Sequence, residues 1–166
     1  MRSVILFRHA EAEWIGKTGS DHDRVLSPNG IKDAEKMGIY ISKKNNIPEL
    51  VISSTAIRAK TTAEVAIKSG KWGSPFQLEA GIYGGNPEFL LKLAKRQEEK
   101  VISVCFVGHE PNFSSFIAHA TNNTYKNFPT ASIAKIDFDV KSWEDVVFGF
   151  GILDFLVYPQ ELFITP

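Results

Sequence analysis

Four basic side chains lie where short apolar runs of the sequence end. Arg8 and His9 follow one run, His109 follows another, and Arg58 opens a predicted helix behind a third. Arginine binds phosphate oxygens through two parallel hydrogen bonds, and imidazole nitrogens can donate or accept beside it. These residue types therefore predict a site for an anion that carries several oxygen atoms.

The elements around these residues explain why they should meet. In an open α/β sheet, ligands bind beyond the carboxyl ends of the strands. Pro111 begins a predicted helix soon after His109, and the amides at a helix start add positive potential. One such residue by itself would be an ordinary solvated side chain. Placement at three strand ends favours a shared site.

Strands and helices alternate along most of the chain. Predicted strands share a short apolar run and lie at 3–7, 50–52, 76–79 and 101–107. Predicted helices begin after Ser27, just before Arg58, after Asn86 and at Pro111. The last forty residues change to a period of two, with a further strand expected between 147 and 157. This order predicts a three-layer α/β/α sandwich whose mostly parallel sheet has a mixed edge.

The composition limits the class of protein. A length of 166 residues suits one domain, which we expect to span 1–166. Nineteen Lys and Arg residues balance 19 Asp and Glu residues, so the chain predicts no nucleic-acid or membrane surface. Cys105, the single cysteine, cannot form an internal disulfide, and the apolar runs are shorter than the ~18 residues of a membrane span. We therefore expect a cytoplasmic protein.

Four blocks of sequence, taken in order, carry a resemblance to a known family. They are LFRHA (6–10), RVLSPNG (24–30), SSTAIRAKTTAE (53–64) and VGHEP (107–111). Together they resemble the histidine phosphatase superfamily. The small size of the chain and the segment FPTASIA (128–134) are most similar to the SixA-type phosphohistidine phosphatases. The resemblance implies a phosphoglycerate mutase-like fold and a covalent phosphohistidine mechanism.

The resemblance also implies a role for each basic residue. His9 would attack phosphorus through a neutral ring nitrogen. Arg8, Arg58 and His109 would hold the equatorial oxygens, and Arg24 would reach the phosphate or the rest of the substrate. Water would then hydrolyse the phosphohistidine. Since these side chains already supply positive charge, we expect no metal and no cofactor.

The general acid is the point at which the match to the family is weakest. Glu79 lies near the position where many family members carry the glutamate that protonates the leaving oxygen, but the residues after it depart from the usual pattern. Glu11 and Glu13 are alternatives in the first loop, and each of the three would otherwise be a solvated carboxylate. A phosphoramidate substrate would need less acid help, because its P–N bond is labile.

Other chemistries find less support in the residues. A cysteine phosphatase would need an arginine six positions after its nucleophile, but the residue six positions after Cys105 is Pro111. Because Cys105 lies inside an apolar run, we expect it to be a core residue. Residues 21–23, Asp-His-Asp, could bind a metal, but an exposed polar loop explains them more simply.

The prediction is a metal-independent phosphatase that acts on a phosphohistidine-bearing protein domain. Two alternatives stay open at this point. One is a phosphatase of a small phosphoester metabolite. The other is a catalytically idle module that binds phosphate or a phosphoprotein on the same fold, although a binder would not require His9 as a nucleophile.

Overall fold

In the computed structural model, residues 1–14, 19–123 and 125–162 are described. They form six strands: β1 (Arg2–Arg8), β2 (Leu50–Ser53), β3 (Phe76–Leu78), β4 (Ser103–Gly108), β5 (Ile133–Phe138) and β6 (Gly151–Val157). They also form four α-helices: α1 (Pro28–Lys43), α2 (Ile57–Gly70), α3 (Pro87–Lys95) and α4 (Asn112–Thr121). Two short 3₁₀ turns, Asp21–Asp23 and Ala80–Ile82, matter for the site described below.

The strands form one sheet in the order β3-β2-β4-β1-β5-β6. Neighbours from β3 to β1 run parallel, whereas β5 is antiparallel to both β1 and β6. In the parallel pair of β1 and β4, Ser3 is opposite Ser103 and Arg8 is opposite Gly108. The carboxyl ends of these two central strands therefore stop side by side.

Helices cover both faces of this sheet. Residues of β1 alternate between the faces: Val4 and Leu6 pack with apolar residues of α3 and α4, and Ile5 and Phe7 pack with residues of α1 and α2. This alternation is what a strand buried on two sides requires. The predicted three-layer sandwich with a mostly parallel sheet and a mixed edge is confirmed.

Two of the predicted helix starts are also confirmed by their caps. Ser27 Oγ accepts the amide of Gly30 at the start of α1, and Asn86 accepts the amide of Phe89 at the start of α3. Each cap satisfies one of the amides that a helix leaves without an internal partner. In the described part of the chain, no helix is long and apolar enough to cross a membrane.

Some boundaries differ from the sequence expectation. Strand β4 starts at Ser103 rather than Val101, and the residue before it, Ile102, is 48% exposed. Strand β6 starts at Gly151, because the segment before it contains a 3₁₀ turn and a glycine with positive φ. The sequence expectation placed the starts of both strands too early, because it relied on apolar composition.

Candidate active site

The two central strands place His9 and His109 next to each other. Each histidine directly follows its strand, and the amide of His9 donates to the carbonyl of Gly108 at 2.9 Å. The two ring centroids are 5.3 Å apart, close to the ~4.8 Å spacing of neighbouring strands. Both side chains are buried. The expected pairing of these residues at one sheet edge is observed.

The ring of His9 is held in a defined protonation state. Nδ1 lies 2.8 Å from the carbonyl oxygen of Ala10. Because a carbonyl oxygen only accepts, Nδ1 carries the proton, and Nε2 presents its lone pair. A neutral imidazole in this tautomer has the nitrogen that nucleophilic attack needs.

The surroundings of His9 keep this ring neutral. Burial lowers the pKa of His9 to about 4, and the charges of Arg58 and Arg8 act in the same direction, against the opposing hydrogen bond to Ala10. The protonated form is disfavoured because it loses hydration and lies close to other cations. The nucleophile is therefore unprotonated at neutral pH.

His109 offers a donor rather than a nucleophile. Its Nε2 lies 2.8 Å from Ser54 Oγ, at the end of β2, and Ser54 Oγ also accepts the amide of Ala56 at 3.2 Å. The hydroxyl proton of Ser54 can then bond Nε2, which leaves Nδ1 of the neutral ring as an N–H donor. Burial, followed by the neighbouring imidazole of His9 when it is protonated and by the charge of Arg58, lowers the pKa of His109 to about 3.

Three buried donors at this edge lack a partner. Arg8 Nη1 donates to the carbonyl of Phe128, and both terminal nitrogens of Arg58 bond Asp21, but neither Nε has a partner among the described residues. The same holds for Nδ1 of His109. A buried donor without a partner costs about 1–3 kcal/mol, so the three nitrogens favour an acceptor with several oxygens.

Helix α2 is tied to the nucleophile's loop by one hydroxyl. Thr62 Oγ1 donates to the carbonyl of Arg58 at 2.7 Å and accepts the amide of Ala10 at 3.0 Å. Ala10 directly follows His9, and Arg58 lies in the first turn of α2. This contact sets the position of the arginine relative to the histidine.

The helix N-terminus expected at the site contributes less than predicted. At the start of α4, the amide of Ser114 donates to the carboxylate of Glu110 at 2.7 Å, and the amide of Phe113 donates to the carbonyl of His109. These amides are thus engaged within the protein. The arginines are left as the main cationic groups of the site.

Arg24 lies close to the site but is engaged with its own loop. Its Nε donates to the carbonyl of Glu13 at 3.0 Å, and its Nη1 is 3.3 Å from an oxygen of Asp21. Its charge nonetheless contributes to the lowered pKa of His9. A direct contact of Arg24 with phosphate stays a prediction.

Two of the candidate general acids form hydrogen bonds elsewhere in the structure. Glu79 Oε1 accepts the amide of Gly81, and Glu11 Oε1 accepts the hydroxyl of Ser27 at 2.8 Å. Within the described ranges, neither these carboxylates nor that of Glu13 forms a hydrogen bond or ion pair with His9 or with the residues that face it. Glu79 as the general acid stays a prediction.

Sequence reasoning missed Asp21, which is central to the site. One carboxylate oxygen accepts Arg58 Nη2 at 3.0 Å and the hydroxyl of Tyr83 at 2.8 Å, and the other faces Arg24. The Tyr83 hydrogen bond, followed by those of the arginines, lowers the pKa of Asp21 to about 2. The Asp-x-x-Arg spacing was the one local signal, because the other two partners are 37 and 62 residues away.

Tyr83 and His22 extend the row of rings outward from the histidine pair. Tyr83 packs edge-on against His109, with centroids 5.4 Å apart, and against His22, with centroids 5.0 Å apart. Tyr83 and His22 both retain exposure, whereas His9 is 8% exposed. Tyr83 and His22 are thus the more exposed members of this row of rings.

Comparison with known proteins agrees with this fold. The profile of the histidine phosphatase superfamily (branch 1) matches residues 4–82. The crystal structure of a SixA protein from Agrobacterium tumefaciens is 27% identical, has a TM-score of 0.82, and matches over 95% of this chain and 98% of that one. Residues 4–82 thus match the histidine phosphatase superfamily, and the fold of the chain is phosphoglycerate mutase-like, as in the similar SixA structure.

Two further relatives extend this likeness. A structure of the protein histidine phosphatase SixA complexed with tungstate has a TM-score of 0.79 at 24% identity, over 96% of this chain and 98% of that one. An uncharacterised protein of Mycobacterium tuberculosis is 29% identical over 157 residues, which are 88% of this chain and 95% of the relative. The chain is thus similar to SixA-type members of the superfamily along most of its length.

Proposed function

We propose that this protein is a phosphatase that forms a covalent phosphohistidine on His9 and removes phosphate from phosphohistidine in a partner protein domain. One observation carries the proposal. Three buried donors that lack a partner among the described residues, on Arg8, Arg58 and His109, lie around a neutral histidine whose Nε2 is available. A phosphoryl group has the three equatorial oxygens to engage them.

In the first step, the lone pair of His9 Nε2 attacks phosphorus. The new N–P bond forms as the bond to the leaving group breaks, and the leaving nitrogen of the substrate keeps the bonding pair and takes up a proton from solvent water. Arg8 Nε, Arg58 Nε and His109 Nδ1 donate to the equatorial oxygens, where charge develops. Nδ1 of His9 keeps its proton and donates it in a hydrogen bond to the Ala10 carbonyl throughout, so the ring does not rotate.

In the second step, water attacks the phosphohistidine. An oxygen–phosphorus bond forms, the N–P bond breaks with its electron pair returning to Nε2, and the proton of water passes to the released phosphate. His9 is regenerated in its original tautomer. The arginines and His109 serve both steps, because the same oxygens lie in the equatorial plane each time.

Two features support a phosphohistidine substrate. A P–N bond breaks with little acid assistance, which suits a site where Glu79 holds a backbone amide instead of facing His9. The similar SixA protein that binds tungstate, a tetrahedral oxyanion, is a protein histidine phosphatase.

A protein partner is favoured by the short segment between α2 and β4. Residues 71–102 supply β3, a 3₁₀ turn and α3, which uses the ordinary lengths of such elements. Few residues are left for a lid that could enclose a small substrate. A partner domain would instead supply the remaining contacts through its own surface.

The nucleophile is tested with a labelled phosphodonor. The wild-type protein is expected to form an acid-labile, base-stable phosphoprotein and to turn over, whereas His9→Ala forms none. His119→Ala is the matched control, because His119 is exposed on α4 and packs against Phe148 instead of the site. A wild-type protein that binds tungstate but never becomes phosphorylated would be the idle binding module.

The substrate is tested by comparing kcat/KM under the same conditions. We expect a phosphohistidine-bearing protein domain to react faster than phosphoglycerate or a sugar phosphate, since the small molecules gain few contacts outside the phosphate site. A small metabolite hydrolysed faster than every phosphohistidine protein tried would favour the phosphoester alternative. In that case His9 would keep its catalytic role, and the proposal of a protein partner would be wrong.

A further inference from the structure

Asp21 holds Arg58 from the side that faces away from its unpartnered nitrogen. Arg58 Nη1 donates to the backbone carbonyl of Asp21 at 2.6 Å, and Nη2 donates to its carboxylate at 3.0 Å. Both terminal nitrogens are thus engaged by a single residue, whereas Nε is buried without a described partner. The guanidinium group is planar and rigid, so fixing both Nη atoms also fixes the direction of the Nε–H bond.

Asp21 is itself fixed by two other groups. Its carboxylate accepts the hydroxyl of Tyr83 at 2.8 Å and faces Arg24 Nη1 at 3.3 Å. These contacts come from two separate segments, the first loop and the 3₁₀ turn that precedes Tyr83. A carboxylate held from several sides has little freedom to follow a moving arginine.

We infer that Asp21 is a positioning residue for phosphoryl transfer, which acts by aiming Arg58 Nε at an equatorial oxygen of the phosphoryl group. This inference rests on the proposed function. Asp21 does not touch the reacting atoms, and its effect passes through Arg58. Tyr83 and Arg24 belong to the same arrangement because they hold the carboxylate in place.

The opposite role for Asp21 would be competition with the substrate for Arg58. A carboxylate beside a phosphate site repels the phosphate and occupies donors. Here the side chain of Asp21 is 54% exposed, so water screens its charge. The carboxylate engages Nη2 only, the backbone carbonyl of Asp21 engages Nη1, and Nε is left without a described partner. Orientation should therefore outweigh repulsion, and loss of Asp21 should weaken anion binding rather than strengthen it.

The test compares Asp21→Ala and Asp21→Asn with Asp23→Asn. Asp23 is a matched control, because it lies in the same 3₁₀ turn and its one described ion pair is with His22, at 3.8 Å. Asp21→Asn keeps the shape of the side chain and serves if Asp21→Ala does not fold. The readouts are tungstate affinity by calorimetry, the rate of His9 phosphorylation, and the ¹⁵N–¹H resonance of Arg58 Nε.

Misplacing a catalytic group by about 1 Å typically costs on the order of 100-fold in rate. We expect a loss of about that size in His9 phosphorylation for Asp21→Ala, with tungstate binding about 5–10-fold weaker and Asp21→Asn between it and the wild type. The Arg58 Nε resonance should shift or broaden in both variants. Asp23→Asn should match the wild type in all three readouts.

Two results would overturn the inference. One is tighter tungstate binding by Asp21→Asn, which would make Asp21 a competitor of the phosphate. The other is an unchanged Arg58 Nε resonance together with an unchanged phosphorylation rate. Failure of the proposed function looks different: the wild type would bind tungstate without forming a phosphoprotein, and the Arg58 resonance would still report whether Asp21 orients the guanidinium.

Discussion

Four histidines occur in this chain, and their surroundings decide which one can accept a phosphoryl group. His9 bonds a carbonyl through Nδ1, whereas His109 and His22 have Nε2 against the hydroxyls of Ser54 and Thr55. Only a ring whose proton is fixed on one nitrogen by an obligate acceptor has a defined lone pair on the other. In this site that ring is His9, and the backbone of Ala10 supplies the acceptor.

The two arginines at the site should be needed for turnover. Removal of one preorganised donor to a developing oxyanion costs on the order of 10²–10³-fold in kcat, and we expect this loss for Arg8→Ala and for Arg58→Ala. Arg96→Ala is the control, because Arg96 is an exposed residue at the end of α3. Steady-state assays with and without EDTA measure the effect.

EDTA should leave the rate of the wild-type protein unchanged in the same assays. Loss of activity in EDTA that divalent metal restores would contradict the metal-independent mechanism. Turnover by Arg58→Ala within threefold of the wild type would contradict the role of that arginine.

At the scale of single residues, the sequence predicted which residues end the strands. His9, His109, Arg8 and Arg58 could be located because strand ends and helix starts leave a local pattern. Asp21 could not, since its function depends on partners that the fold brings from distant segments.

At the scale of elements, the start of α1 is in backbone contact with the loop that follows the nucleophile. A Cβ atom added at Gly30 would clash with the carbonyl oxygen of Glu11. The amide of Ser27 also donates to that carbonyl at 2.9 Å. The helix therefore supports the first loop directly, two residues beyond His9, and glycine is what permits the close approach.

Gly30→Ala should disturb both stability and activity. The backbone of Glu11 cannot yield as a flexible side chain would, so we expect a loss of about 1–3 kcal/mol in the free energy of unfolding. Turnover should also fall, because the loop displaced by the new methyl group carries His9 at its start. Urea unfolding and steady-state kinetics measure the two effects.

Gly73→Ala is the matched control for this substitution. The space around Gly73 is open, with nothing within 4 Å of an added Cβ, so stability and turnover should stay at the wild-type values. Equal stability of Gly30→Ala and Gly73→Ala would show that α1 does not hold the loop.

The type and order of the elements could be predicted from the sequence, and their ends less well. Caps at Ser27 and Asn86 have a local chemical signature, which is why those helix starts were placed correctly. Apolar residues such as Ile102 and Val147 lengthened the predicted strands, because composition does not show which side of a segment the sheet covers. Which side is covered depends on packing between residues that are distant in the sequence.

For the whole molecule, the two buried imidazoles link stability to pH. The unfolded pKa of histidine is about 6.5, whereas those of His9 and His109 in the folded protein are about 4 and about 3. Between these values the unfolded chain binds more protons than the folded one. Stability should therefore be complete above about pH 6.5 and should fall as the pH decreases toward 4, by at most ~1.4 kcal/mol per pH unit for each group.

Urea unfolding at pH 7.5, 6.5, 5.5 and 4.5 would measure this dependence. His9→Gln and His109→Gln each remove one of the two groups, so each variant should lose stability less steeply than the wild type over this range. A wild-type protein equally stable at pH 7.5 and 4.5 would show that neither imidazole is held neutral by the fold.

The pairing of Arg8 with Gly108 has a consequence for how such proteins can diversify. The two imidazoles are spaced by a hydrogen-bonded ladder at the centre of the sheet, whereas Asp21 and Tyr83 come from irregular segments at its margin. The spacing of the two rings and the orientation of Arg58 thus depend on parts of the chain that can vary separately. Exchange of the segment around Asp21 or Tyr83 would change how the guanidinium is held and would leave the distance between the two rings as the ladder sets it.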